Sequence, residues 1–81
     1  MNDLLTNIDK IHTTELGIMR IKKNIELQTD DVVHWCKRKT KNADKIIKKG
    51  KNWHVYAGDN IITINAKSYT IITAHKMKFY E

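Results

Sequence analysis

Apolar residues in the first half of the chain recur every three or four positions, and in the second half they alternate. Leu4, Leu5, Ile8 and Ile11 share helical spacing and predict a short first helix over about residues 3–11. Thr13 and Thr14 offer hydroxyl caps to a second helix, which Leu16, Met19, Ile21 and Ile25 carry to about residue 24. Gly17 falls inside that helix, at a cost of about 1 kcal/mol relative to alanine. Thr29 followed by Asp30 and Asp31 sets a capping hydroxyl and two acids at the positive end of a third helix. Its apolar stripe is Val32, Val33, Trp35 and Cys36, and the lysine-rich residues 37–41 suit its C-terminal end.

After Asn42 the period becomes two. Residues 45–48 read as a first strand, Gly50 as a turn, 53–57 as a second strand, and Gly58, Asp59 and Asn60 as another turn. Residues 61–65 and 69–77 are β-branched runs around a tight Ala66-Lys67 turn. Helices over about 3–41 ahead of a four-stranded meander over about 44–78 predict an α+β domain, with the helices on one face of the sheet. A two-residue turn at Ala66-Lys67 pairs Asn65 with Ser68, Thr63 with Thr70 and Ile62 with Ile71. Alternation then sends Ile62, Ile64, Tyr69, Ile71, Thr73 and His75 toward the helices. It leaves Ile61, Thr63, Asn65, Ser68, Thr70, Ile72, Ala74 and Lys76 on an exposed, mixed face.

Length and composition narrow the class. Eighty-one residues are enough for one domain, residues 1–81, and no proline, repeat or linker suggests a division. With 41% hydrophobic and 30% charged residues the chain resembles neither a disordered nor a membrane protein. No apolar run approaches the roughly 18 residues of a membrane span, and the Asn2-Asp3 start is unlike a signal peptide. The single cysteine, Cys36, has no internal partner, which points to a reducing compartment and a cytoplasmic protein.

Charge is unevenly placed. The chain carries +6, yet residues 37–51 alone carry +7: Lys37, Arg38, Lys39, Lys41, Lys45, Lys48, Lys49 and Lys51 face only Asp44. Such crowding attracts polyanions by counterion release, with RNA the expected partner. It also protects an edge strand from aggregation. Trp53, His54 and Tyr56 lie next to the run as rings on which bases stack; Trp53 shares a face with Val55 and reads as core, leaving His54 and Tyr56 exposed.

No metal-ligand spacing, phosphate-cradling glycine loop or nucleophile elbow is present, and no cofactor is implied. The stretch from Asn65 to Lys76 is richer. His75 suits acid/base work on a 2′-hydroxyl, Lys76 suits charge stabilisation at phosphorus, and Ser68, Thr70 and Asn65 suit phosphate positioning. An ordinary threonine-rich strand explains the same residues. His75 and Lys76, moreover, alternate to opposite faces.

Residues 8–17, 20–24 and 65–76, with Thr29 to Val33 and Gly50 to Trp53, resemble DUF3781, a family of small bacterial proteins of unknown function, over nearly the whole chain. Helices followed by four strands that end in Tyr69-Thr-Ile-Ile-Thr-Ala-His-Lys76 resemble, more distantly, the barnase–EndoU–colicin–RelE group of RNase folds. That likeness implies a metal-independent endoribonuclease, with Lys76, Ser68, Thr70 and His75 on the sheet. The sheet region lacks an arginine and an acidic base of the barnase kind. Three readings follow: such an RNase; a non-catalytic RNA-binding module using Lys45, Lys48, Lys49, Lys51, His54, Tyr56 and Asn65; or a protein-binding module, a homodimer or an inhibitor with an acidic partner.

Overall fold

Two side-chain oxygens decide where the longer helices begin. The computed structural model describes residues 3–77, in the order α1 (Asp3–Thr6), a 3-10 turn (Ile8–Lys10), α2 (Glu15–Ile25), α3 (Val32–Lys41), β1 (Lys45–Lys49), β2 (Asn52–Ala57), β3 (Asn60–Asn65) and β4 (Ile71–Lys76). Thr14 accepts from the Gly17 N–H at the start of α2, as its hydroxyl predicts. At α3 the cap is Asp31, which accepts from the His34 N–H. The expected cap, Thr29, instead accepts from the Asp31 N–H and so shapes the approach. The fold is α+β: helices first, then an antiparallel sheet of order β1-β2-β3-β4. The expected end of the sheet at 78 lies outside the described residues.

The first helix is shorter than its apolar spacing suggests. Asn7 breaks it, because its carboxamide donates to the Asp3 carbonyl at 2.9 Å alongside its own backbone N–H. Asparagine commonly competes with the helix in this way. Ile11 then turns extended, and His12 forms a parallel bridge to Thr70. Its N–H donates to the Tyr69 carbonyl, and its carbonyl accepts from Ile71. From there α2 runs beside β4: Thr13 donates to the Ile71 carbonyl, Asn24 to the Thr73 hydroxyl, and Lys76 meets Glu26. Eleven helical residues rise about 16 Å, close to the roughly 17 Å span of a five-step strand. The buried stripe of α2 is Gly17, Ile21 and Ile25. Leu16 and Met19, expected on it, are each 66% exposed.

Pairing sorts the sheet into rungs. Ile46, Val55, Ile62 and Ala74 form one inward rung, and Lys48, Trp53, Ile64 and Ile71 the next. Val55, Ile62, Ile64, Ile71 and Ala74 pack with Leu4, Ile11, Ile21, Ile25, Val32 and Cys36 into one core. The β3–β4 register differs from the two-residue-turn expectation: Ile64 pairs with Ile71, Thr63 with Thr73 and Ile62 with Ala74, across a bulge. Asn65 causes this. Its Oδ1 accepts from the Lys67 and Ser68 N–H groups, its carbonyl accepts from Tyr69, and Tyr69 turns left-handed at φ 60. The wider loop moves Ser68 and Thr70 off the ladder. Beyond the bulge, Ala74 and Lys76 lie on the helix-side rungs, whereas Thr73 and His75 pair with the outward Thr63 and Ile61. The expected assignment of these four is thereby reversed.

Gly17 shows how closely α2 packs against the segment that leads into it. Helix propensity alone makes Gly17→Ala stabilising by about 1 kcal/mol. A Cβ there, however, would collide with Thr13 Oγ1, whose hydroxyl donates to the Ile71 carbonyl at 3.0 Å. Relief of the overlap breaks that bond. Gly17→Ala is therefore expected to lower stability by about 1–3 kcal/mol. The urea midpoint reads this directly, and a midpoint at or above wild type would contradict the close approach.

Candidate nucleic-acid interface

The helices pack on the inward rungs; the other face is open except at its β4 edge, where Asn24 of α2 reaches the Thr73 hydroxyl, and its central Thr63 is buried among its strand neighbours. That face has three rungs: Lys45, Tyr56, Ile61 and His75; Ile47, His54, Thr63 and Thr73; and Lys49, Asn52 and Asn65. Adjacent strands stand about 4.8 Å apart, so lysines at the β1 edge border the His54 and Tyr56 rings of β2. Those rings are half-buried, as are Ile47 and Ile61. Trp53 points inward and packs against the core, as its pairing with Val55's face predicts.

The basic run divides into groups. Lys39 lies over the Trp35 ring at 5.6 Å and Lys48 over Trp53 at 5.8 Å. Lys37 donates to the Asp9 carbonyl and, with Arg38, Lys41, His34 and Ile8, lines a depression beside the 3-10 turn. Lys45 and Lys49 take the outer sheet face. Lys51 lies at the β1–β2 turn, where its carbonyl accepts from Ala66 of the β3–β4 loop. The one acid within the run, Asp44, accepts from the Gly58 N–H at 3.0 Å. The ion pairs among the described residues are Lys22–Asp30 and Lys76–Glu26, and neither involves the run. Its positive charge is thus left unneutralised.

The four residues expected to act together on RNA fall at two ends of β4. Ser68 Oγ and Thr70 Oγ1 are 2.8 Å apart, and Ser68 also donates to Asn65 Oδ1 at 3.2 Å. His75 and Lys76 lie roughly 16 Å further along the strand, at about 3.3 Å per residue. His75 is exposed on the outer face, while Lys76 is paired with Glu26 at 3.0 Å on the other. They do not share a cleft with the two hydroxyls.

A different histidine does meet the hydroxyls. His12 Nε2 is 3.2 Å from Thr70 Oγ1, and its Nδ1 is 2.9 Å from the Lys10 carbonyl. A carbonyl only accepts, so Nδ1 donates to Lys10, which leaves Nε2 facing the Thr70 hydroxyl. The array braces the β3–β4 loop against the chain entering α2. Sequence pattern gave no sign of it, because His12 and Thr70 are 58 residues apart. Lys67, outside the basic run, is the other addition: it joins Lys48, Lys51 and Asn65 around an open notch.

Among the described residues no three His, Cys, Asp or Glu side chains gather as metal ligands. No described helix is long and apolar enough to cross a membrane. Burial pushes the Cys36 thiol from 9.0 up to about 12. The unfolded chain ionises near 9.0 while the folded one keeps its proton, so this group's stabilisation is complete below 9.0 and is lost as pH rises toward 12. The loss proceeds at on the order of 1 kcal/mol per pH unit. Native Cys36 should resist iodoacetamide at about pH 8 and react once urea opens the fold. Alkylation of native protein at a free thiol's rate would contradict the burial.

Comparison with known proteins gives one match. The sequence model of a family described as a protein of unknown function (DUF3781) aligns with residues 5–75. No curated protein matches, and no solved structure does.

Proposed function

The chain belongs to the DUF3781 family, whose function is unknown, and from that premise we propose that it is a single-stranded RNA-binding module rather than a nuclease. The uncovered sheet face carries the reading. Lys45 and Lys49 flank the His54 and Tyr56 rings there, so phosphates have cations and bases have stacking surfaces within one or two strand spacings. Lys51 and Asn65 extend the same surface toward the turns. Binding of this kind is driven by counterion release and tolerates many sequences. The reducing environment that an unpaired, buried cysteine fits makes cytoplasmic RNA the natural target.

Catalysis is the weaker reading, since His75 and Lys76 stand on opposite faces and Lys76 is engaged by Glu26. The test is fluorescence anisotropy of a short, unstructured, labelled RNA. Affinity is expected at about 50 mM salt and should fall steeply by about 200 mM. Absence of binding at the lower salt removes the RNA reading and leaves an acidic protein partner, or a second copy, as occupant of the face.

A further inference from the structure

We propose that the notch between the β1–β2 turn and the β3–β4 loop is a subsite for the terminal phosphate of the bound RNA, an inference that rests on the RNA-binding reading. The notch has a volume of about 680 Å³ and is lined by Lys48, Gly50, Lys51, Asn65, Ala66 and Lys67. Three of these are lysines, of which Lys48 also lies over the Trp53 ring; none of the lining residues is a carboxylate, and none of the three lysines has an ion pair among the described residues.

Asn65 makes the donor character specific. Its side-chain oxygen accepts from the Lys67 N–H at 2.9 Å, the Ser68 N–H at 2.9 Å and the Ser68 hydroxyl at 3.2 Å. Backbone N–H groups only donate, so the atom they face is the oxygen and the amide orientation is fixed. The NH₂ group is left over. The backbone of the notch is also held: the Ala66 N–H donates to the Lys51 carbonyl at 2.8 Å and locks one turn to the other. Behind the loop, Ser68, Thr70 and His12 form the brace already described.

A site that presents three cations and an amide NH₂ selects a ligand that brings negative charge and several acceptor oxygens. An internal phosphodiester carries one charge. A terminal phosphate monoester carries roughly −1.5 to −2 and three acceptor oxygens, the closer match to three lysines. Position agrees, because Asn65 belongs both to the notch and to the last outward rung, with Lys49 and Asn52. A strand crossing the His54 and Tyr56 rings reaches the notch at its end.

One RNA sequence with a 5′-phosphate, a 3′-phosphate or hydroxyl ends is titrated by anisotropy at fixed salt. One phosphorylated end is expected to bind about tenfold tighter than the hydroxyl form, as one strong charge-assisted contact allows. Asn65→Asp keeps the acceptor that holds the loop but replaces the NH₂ with charge; it should bring all three ends to one affinity. Equal affinity for all three ends overturns the subsite while the RNA reading stands, and no binding of any end overturns both. Inorganic phosphate is titrated in parallel against the Gly50, Ala66 and Lys67 amides by NMR. Saturable shifts in wild type but not in Asn65→Asp support an anion site; such shifts without end preference assign the notch to a free phosphate and overturn the RNA terminus.

Discussion

Ile62→Ala should strip the domain of a large part of its stability. Ile62 lies fully buried on a central strand, between Val55 of β2 and Ala74 of β4, both also at 0% exposure. Its loss removes contacts to both neighbours and to the helices, and alanine at Ala74 leaves nothing that can lean in to fill the space. Truncations of this kind cost about 2–5 kcal/mol. A chain of this length has a total margin of about 4–12 kcal/mol, taking the usual per-residue range, and no disulfide supplements it. The neighbour Ile61 is the control. It points to the uncovered face and is only half-buried, so Ile61→Ala should cost under about 1 kcal/mol. Urea unfolding followed by circular dichroism compares the two. If the Ile61→Ala midpoint falls as far as or further than that of Ile62→Ala, Ile62 is not the inward, core-filling residue of the pair.

What the sequence made legible was local and periodic. The change from helical to alternating spacing near Asn42 located the α-to-β boundary, and Thr14 announced its helix. Trp53 and Val55 sharing a face placed Trp53 inward correctly. The features that escaped all depend on a polar side chain competing for backbone groups or on a contact between distant segments. Asn7 stops the first helix through its own carboxamide. Asn65 widens a hairpin loop that composition made look tight, and the added bulge turns Ala74 and Lys76 inward. A single shift of register sends every later side chain to the other face, which is why His75 and Lys76 exchanged sides; Ser68 and Thr70 stand at the far end of β4 because Thr70 precedes His75 by five residues. Leu16 and Met19 fit the helical period but not the direction set by Gly17 against Thr13. His12 reaches Thr70 only because the chain folds back beside β4.

Lys45→Glu combined with Lys49→Glu should weaken binding of single-stranded RNA by at least about tenfold at 50 mM salt, and should lower the salt slope by about 1.4, at roughly 0.7 per phosphate contact. The two lysines sit on outward rungs with Tyr56 and Asn52 as their cross-strand partners. Arg20→Glu with Lys23→Glu changes net charge by the same amount on exposed positions of α2, which runs beside β4, three strands and so about 14 Å from β1. It should cost far less, because screening confines charge effects to about 10 Å at 0.1 M salt. Tyr56→Ala separates the second component: stacking contributes about 1–3 kcal/mol per base, so affinity falls while the slope stays put. If both double reversals weaken binding alike, the lysines act only through net charge, and their place on β1 reflects protection of an exposed edge strand from aggregation. If the sheet-face reversal alone flattens the salt dependence, the phosphates run along β1, and the open face of the sheet is where the RNA lies.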